Sequence, residues 1–574
     1  MRTRRRAAVV VVCALLPWLA ACSTVPLSSA TVQIPQTGEP PAPEVGIEPL
    51  SPEPGATAEE IVRGFVDAAA STQAGHPVAR EHLTAEAAGT WTDEGGISVI
   101  SPDYASVTTD AGSVRVTADL IGNVDERGIF SVAGSGLFTR EYLLEEVDGE
   151  WRIANPPAGL VMLEPDFARL YDRRLVYFLD PTGTRVVPDP RYLINGDAQP
   201  TTLLYRLLEG PSAVLNAGVR NALSGDVQLR STVEVDGQEA VVDLTGLGTD
   251  PAPVLAEISA QVVWTLRQLG IRSVEIRVDG DLVRLENVRP QQTVDDWASF
   301  DPDAVPVDAV GHYIDDGALR VAPSGEPTPG PAGAGAGLTS AAVKADVTTG
   351  ELAFLVGVRP AQGRQQLVAG PYGGELAPVL EGSSFSPPTV AAPRAEVWTV
   401  RDGSEVVRVQ AGSVPQAVSA PTLAGLGRAE VLQLSPDGVR AALVIEGPEG
   451  TTLYIGTVVR EEEGGVALRD LRAITPSLSQ VVDVAWRDSE DLYVLAGGAG
   501  EDQVVPYVVS VDGWNLTEVP VSGLPSEPAS IAAAPTRPPL VSAGRTIWQL
   551  SGGTWVTLER GAEPRPGTQP FYPL

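Results

Sequence analysis

From about Asp303 onward the chain is β-branched and turn-rich, and a short pattern in it recurs at a spacing of about 50 residues. Phe385-Ser386-Pro387, Leu434-Ser435-Pro436, Trp486-Arg487-Asp488 and Ala534-Pro535 each open a hairpin. The second strand of each is apolar: Val397–Val400, Ala442–Ile445, Leu492–Leu495 and Thr546–Leu550. Val347-Thr348-Thr349-Gly350 leading into Leu352–Leu355 is a fifth copy. Repeats of this length with four short strands each imply a β-propeller, and residues 303–574 leave room for about five or six blades. A closed ring leaves no long strand edge open to aggregation.

The Leu-Ser-Pro-Asp-Gly turn at 434–438 resembles propeller repeats of the WD40-like type. His312-Tyr313 to Val321 reads as the second half of a blade, so that the first and last segments would join to close the ring. The glycine- and alanine-rich run Ala332–Gly337 is expected as a flexible loop inside the first blade.

Residues 170–295 form a second module. Leu175–Leu179 has the pattern of a buried strand, and Thr201–Leu208 that of a helix stopped by Gly210-Pro211. Val233, Val235, Val241 and Leu244 flank the Asp236-Gly237 turn of a hairpin. Asp250-Pro251 is placed to cap a helix whose Leu255, Ile258, Val262, Leu266 and Leu269 share one face. The strand Val274, Ile276, Val278 follows and ends at Asp279-Gly280. In this order the pieces resemble the GerMN domain of sporulation and germination lipoproteins, through Leu-Leu-Glu-Gly-Pro at 207–211, Gln261–Leu266 and the Val-Asp-Gly turn at 278–280. The resemblance implies an extracytoplasmic binding or assembly module.

Residues 56–165 form the first module. Thr57 and Glu60 make a capping box, followed by Ile61, Val62, Phe65 and Val66 on one helical face. A second short helix is expected around Val78–Ala88. The period then changes to two: Val114, Val116, Ala118 and Leu120 alternate with polar residues, Tyr142, Leu144 and Val147 follow, and Gly149–Ile153 reads as the terminal strand. Helices followed by a curled antiparallel sheet resemble the cystatin-like cone of the nuclear-transport-factor superfamily.

The amino terminus reads as an export signal. Arg2, Arg4, Arg5 and Arg6 precede an uncharged stretch from Ala7 to Ala21, too short for the ~20 residues a membrane-spanning helix needs. The exit Leu19-Ala20-Ala21-Cys22 resembles the bacterial lipobox. That resemblance implies cleavage between Ala21 and Cys22 and a diacylglyceryl group on the Cys22 thiol. Residues 22–55, rich in proline, are expected as an extended tether. The other cysteine, Cys13, lies in the signal. Removing the signal's four arginines takes the formal charge from -33 to -37. So negative a chain is a poor partner for nucleic acid, whose phosphates require cationic neutralisation.

Signs of chemistry are sparse. The three histidines are His76 and His82, six apart on different helix faces, and His312, alone. No histidine–cysteine metal motif, nucleophile elbow or phosphate loop is present; Gly134-Ser135-Gly136 fits a bulge or bend in a strand. The 73 acidic residues show no spacing that singles out a pair, and a solvated face is the expected setting. No catalytic residue, cofactor or metal is expected, although a propeller hydrolase or lyase of wall polysaccharide stays open as an alternative, as does a passive scaffold binding cell-wall glycan.

Lipobox, tether, cystatin-like unit, GerMN-like unit and propeller, in that order, resemble the LpqB lipoproteins of actinobacteria. The resemblance implies a lipid anchor on the extracytoplasmic face of the cell membrane. It also implies, as partner, the extracytoplasmic domain of a sensor histidine kinase of the MtrA–MtrB two-component type, in envelope homeostasis and division.

Overall fold

A computed structural model describes residues 49–574 except 135, 224, 248–251, 323, 462–463, 479 and 499–502. Ala21, Cys22 and most of the tether lie outside the described residues, as does the Asp250-Pro251 cap. No described helix is long and apolar enough to cross a membrane.

The first domain opens with the helix Ala58–Ala68, whose start has the capping box: Thr57 N–H donates to Glu60 Oε2 (2.8 Å) and Glu60 N–H to Thr57 Oγ1 (3.3 Å). The expected single helix over Val78–Ala88 is two, Pro77–Glu81 and Ala85–Thr90. Leu83 leaves the helix to bridge Ile153, and Thr84 recaps the chain by accepting from Ala87 N–H (3.2 Å). A tertiary pairing thus overrides local propensity. The eleven-residue strand Val114–Val124 organises the sheet. Its first half pairs with Ala105–Thr108 and Leu137–Tyr142, its second half with Ile97–Ile100 and Phe130–Val132. Serving different partners along its length, it curls the sheet around the helix. Gly134 and Gly136 lie at the bend between the two strands of the return, Phe130–Val132 and Leu137–Tyr142. Glu150–Ile153 is not the last strand: Leu160–Leu163 follows, parallel to Ile97–Ile100, and then the helix Glu164–Leu170.

The second domain starts with two nine-residue strands, Tyr171–Leu179 and Val186–Ile194, paired along their whole length. Pro188 and Pro190 are tolerated because this two-stranded sheet has free edges. The helix Gln199–Leu208 and the hairpin Glu234–Asp236/Glu239–Thr245 follow. On Glu239–Thr245 the buried residues are Ala240, Val242 and Leu244, so Val241 points the other way and Val235 is exposed. The helix Ala252–Leu266 is buried on every side from Ile258 to Leu266, not along one stripe. It lies among the long hairpin, the helix Gln199–Leu208, the strand Ser273–Val278 and the turn Val294–Phe300. Its polar side chains are engaged there: Gln261 Nε2 donates to Tyr177 O (2.9 Å) and Thr265 Oγ1 accepts from Tyr177 N–H (3.2 Å).

The described residues of the third domain form six blades. The first five begin with the strands Ser340–Ala345, Thr389–Val390, Arg428–Leu434, Gln480–Trp486 and Pro528–Ala532, and each continues outward through three more strands. The sixth is composite: the carboxy-terminal strand Thr568–Phe571 pairs with His312–Asp315, which pairs with Ala318–Val321. This joins the first and last segments, as the half-blade pattern predicts. Residues of the innermost strands, including Ala342, Val390, Leu434, Trp486 and Ile531, line a central cavity of about 50 Å³.

Three details depart from expectation. The turn equivalent to Ser435–Asp437 in the second blade is Ala391–Arg394, between its first two strands, whereas Ser386-Pro387 precedes them. In the fifth blade the second strand is Leu540–Ala543, and Thr546–Ser551 is the third. The Ala332–Gly337 run begins in a packed turn between the sixth and first blades: Ala332 is buried against Leu319 and Leu338, and Gly330, at φ 74°, sits where a Cβ would lie 2.1 Å from Gly373 O.

Candidate functional site at the joint of three domains

The long hairpin of the second domain ends on the propeller face that carries the turns between first and second strands. At its tip Asp180 is buried and accepts from the N–H groups of Thr184 (2.7 Å) and Arg185 (2.9 Å), and Arg394 of the second blade pairs with it (3.0 Å). Burial alone would raise the Asp180 pKa; the hydrogen bonds from Thr182, Thr184 and Arg185 outweigh it and hold the carboxyl below its usual range. Arg185 reaches Pro436 O of the third blade and Pro302 O of the linker, both at 3.4 Å. Lys344, the only lysine in the chain, donates to Ala345 O (2.6 Å), Ala392 O (2.7 Å) and the terminal Leu574 O (3.1 Å). Burial, then the charge of Arg185, push its pKa down to about 8.

Around this tip Arg440 donates to Pro188 O, Thr457 Oγ1 to Val214 O (2.7 Å), and Ser489 N–H to Asp303 of the linker (2.7 Å). Arg173 lies 3.4 Å from both Glu490 and Asp491 of the fourth blade. Burial opposes the Arg173 charge, but Asp512, Asp491 and Glu490 hold the guanidinium firmly protonated.

The first domain joins at the other end of the hairpin. Tyr192 N–H donates to Gly128 O (2.8 Å), Arg206 to Glu126 O (3.0 Å), and Arg127 to Gly210 O. Trp514, from the fourth blade, packs between Phe130, Phe167 and Tyr192 at centroid distances of 5.1, 5.1 and 5.9 Å, edge to face with each. The Tyr192 hydroxyl donates to Asp512 (3.0 Å). Three domains therefore share one aromatic cluster. Sequence periodicity gives no sign of it, because its four rings come from four distant segments.

The histidines do not converge. His76 and His82 flank the short helix Pro77–Glu81 instead of sharing it: His76 Nδ1 meets Asp93 (2.8 Å) and His82 Nδ1 meets Val78 O (3.0 Å). His312 stands in the sixth blade between Val310 O and the Tyr372 hydroxyl, stacked on Phe571, with burial pushing its pKa down to about 4. Several carboxylates are buried rather than solvated. Asp483 accepts from Ile531 N–H (2.8 Å) and Val484 N–H (2.9 Å), tying the fourth blade to the fifth, and burial pushes its pKa up to about 7. Glu396 accepts from Arg460 and lies near Arg408, tying the second blade to the third. Each has structural partners. Among the described residues no group of three or more histidine, cysteine or acidic side chains could hold a metal ion. The Trp398, Trp486 and Trp555 side chains are packed between blades and present no exposed aromatic platform.

Comparison with known proteins agrees with this architecture. Residues 51–168 match the family model described as "Lipoprotein LpqB, N-terminal domain", residues 175–284 "Sporulation and spore germination", and residues 319–573 "Lipoprotein LpqB beta-propeller domain". Among solved structures, the tandem GerMN domains of the sporulation protein GerM from Bacillus subtilis are similar over 26% of this chain and 58% of that one, at 16% identity and TM-score 0.19. TolB from Acinetobacter baumannii is similar over 70% and 99%, at 12% identity and TM-score 0.33. Curated relatives named "Lipoprotein LpqB" match almost end to end. The one from Rhodococcus opacus is 31% identical over 94% of this chain and 92% of its own. For Mycolicibacterium smegmatis the figures are 31%, 99% and 100%, and for Mycobacterium tuberculosis 32%, 96% and 94%. With all three domains matched in order, the chain belongs to the LpqB lipoprotein family.

Proposed function

We propose that this chain is a non-enzymatic accessory protein, anchored by a lipid on Cys22 to the extracytoplasmic face of the cell membrane. There it binds the extracytoplasmic domain of a sensor histidine kinase of the MtrA–MtrB type. The observation that carries the reading is the joint just described. The aromatic cluster and the hairpin tip hold three domains as one body, and a preordered body loses little freedom on docking. The lipid confines that body to the kinase's own surface and raises its effective concentration there. A protein that favours one kinase conformation over another shifts its signalling equilibrium by that difference in affinity. Photo-crosslinking in intact cells tests this. The full chain should capture the kinase ectodomain, and Cys22→Ala, with the export signal otherwise intact, should lose most of the capture. Recovery of wall glycan without any kinase would replace this reading with that of a wall-binding scaffold.

A further inference from the structure

A second cavity, of about 180 Å³, opens where the three domains meet, a short way from the aromatic cluster. The first domain contributes Ser131, the second Ser212 and Pro190, the third Arg440, Thr457 and Arg472. Hydrogen-bond donors and acceptors are unequally used around it. Its carboxylates are engaged: Asp189 with Ser212 N–H (2.6 Å) and Arg191 (3.1 Å), Asp512 with Tyr192 and Trp514 N–H (3.1 Å), Asp125 with the N–H groups of Arg127 (2.9 Å) and Ile129 (2.8 Å). The donors are not. Ser212 and Arg440 are 2% and 4% exposed; Arg440 donates to Pro188 O and its Nη1 lies 3.8 Å from Asp437 in an ion pair, yet among the described residues the Ser212 hydroxyl and Arg440 Nη1 have no hydrogen-bond partner. Among the described residues the Arg472 side chain donates to Val511 O alone, at 3.4 Å. Burial and then the charge of Arg440 pull the Arg472 pKa down, partly offset by Asp512 and Asp189.

Buried donors left unmade are costly, and two guanidinium groups beside a hydroxyl suit a ligand with several acceptor oxygens. The geometry points to a binding site for a phosphate-class oxyanion, lined by Arg440, Arg472 and Ser212 and completed only when all three domains are in place. An oxyanion bound there adds a link between second domain and propeller and stabilises the joined body over any opened form. The site is independent of the kinase reading, since it needs no partner protein. The same chemistry is offered by free phosphate and by a phosphorylated lipid or wall headgroup.

Equilibrium dialysis of the full chain in detergent with radiolabelled inorganic phosphate, at fixed ionic strength, tests the assignment. Saturable uptake of one phosphate per chain is expected. Loss of a charge-assisted hydrogen bond predicts about tenfold or more weaker uptake in Arg472→Met, and Ser212→Ala, which removes only an unpaired hydroxyl, should weaken it severalfold without disturbing the fold. Arg560→Met, on the exposed edge of the fifth blade, should change nothing. Phosphate should also raise the thermal midpoint of the unsubstituted chain but not of Arg472→Met. Stronger competition by glycerol 3-phosphate than by unlabelled phosphate assigns the ligand to esterified headgroups, and equal competition to the free ion. No saturable uptake, or equal uptake in Arg472→Met and the unsubstituted chain, overturns the site.

Discussion

Arg173 and Tyr192 are cross-strand partners in the long hairpin, yet each anchors a different kind of seam. The Tyr192 ring lies among Phe130, Phe167 and Trp514, all within 6 Å between centroids. Arg173 faces Glu490 and Asp491, with Asp303 and Asp488 close behind. Aromatic packing of the first kind is adhesive: each such pair adds about 0.5–1.5 kcal/mol beyond the area it buries. A half-buried ion cluster of the second kind roughly breaks even against its desolvation, and its contribution is to fix one orientation of the domains. Adhesion and register are thus supplied by neighbouring side chains of one hairpin.

Removing the adhesive element should have the largest effect. Trp514→Ala deletes the ring shared by all three domains, and large-to-small aromatic substitutions cost about 3–5 kcal/mol when fully buried. Because Trp514 is only partly buried, a loss near the lower end is expected. In scanning calorimetry the propeller should unfold separately from the first domain. An unchanged single transition would mean that the polar seam alone couples the domains.

Arg173→Met breaks the other seam and leaves Glu490 and Asp491 facing each other. Removing one partner of a buried pair costs about 3–5 kcal/mol; with Arg173 20% exposed, about 2–3 kcal/mol is expected at pH 8. The deficit should shrink at pH 6, where Glu490 takes up a proton, whereas that of Trp514→Ala should not change with pH. Equal pH behaviour in the two variants would abolish the distinction between the seams.

A smaller effect should be visible without breaking anything. Burial, reinforced by Asp488, pushes the Asp303 pKa up to about 7, and burial likewise takes Glu490 to about 7. Their unfolded-state values are lower, so the folded chain binds more protons and gains stability as pH falls through 7. His312, with its pKa pushed down to about 4, opposes this only below its ordinary value of 6.5. The thermal midpoint should therefore rise from pH 8 to pH 6.5. Asp483 in the fourth blade contributes in the same direction, so Asp303→Asn should reduce the rise without removing it.

What could be read in advance follows the range of the interactions involved. The Ser435-Pro436-Asp437-Gly438 turn was legible because its geometry is held locally, by Asp437 accepting from Val439 N–H (2.9 Å). The equivalent Ala391–Arg394 turn has no such residues, and the nearby Ser386-Pro387 drew the pattern a few positions early. The helix Ala252–Leu266 reads as amphipathic only if Trp264 and Gln261 are taken as polar-face residues; the turn Val294–Phe300 covers Trp264, whose Nε1 donates to Trp297 O (3.2 Å), and the long hairpin takes Gln261, whose Nε2 donates to Tyr177 O (2.9 Å). The strand Leu160–Leu163 is parallel to a partner some sixty residues earlier, a pairing without a turn signature. The joint was the least legible part. Trp514 carries no mark that distinguishes it from Trp398 or Trp555, which pack inside the propeller.

Tyr192→Phe separates the two seams at the residue where they touch. The ring stays, so packing against Phe130, Phe167 and Trp514 is retained, while the hydroxyl that donates to Asp512 is lost. Asp512 keeps the Trp514 N–H (3.1 Å) and the nearby Arg173 charge, so the expected cost is only about 1 kcal/mol, the net worth of one hydrogen bond. The loss should appear as a small fall in the thermal midpoint with the single cooperative transition preserved. If the domains instead separate as they should in Trp514→Ala, the hydroxyl and not the ring is holding the joint, and adhesion and register cannot be assigned to different side chains.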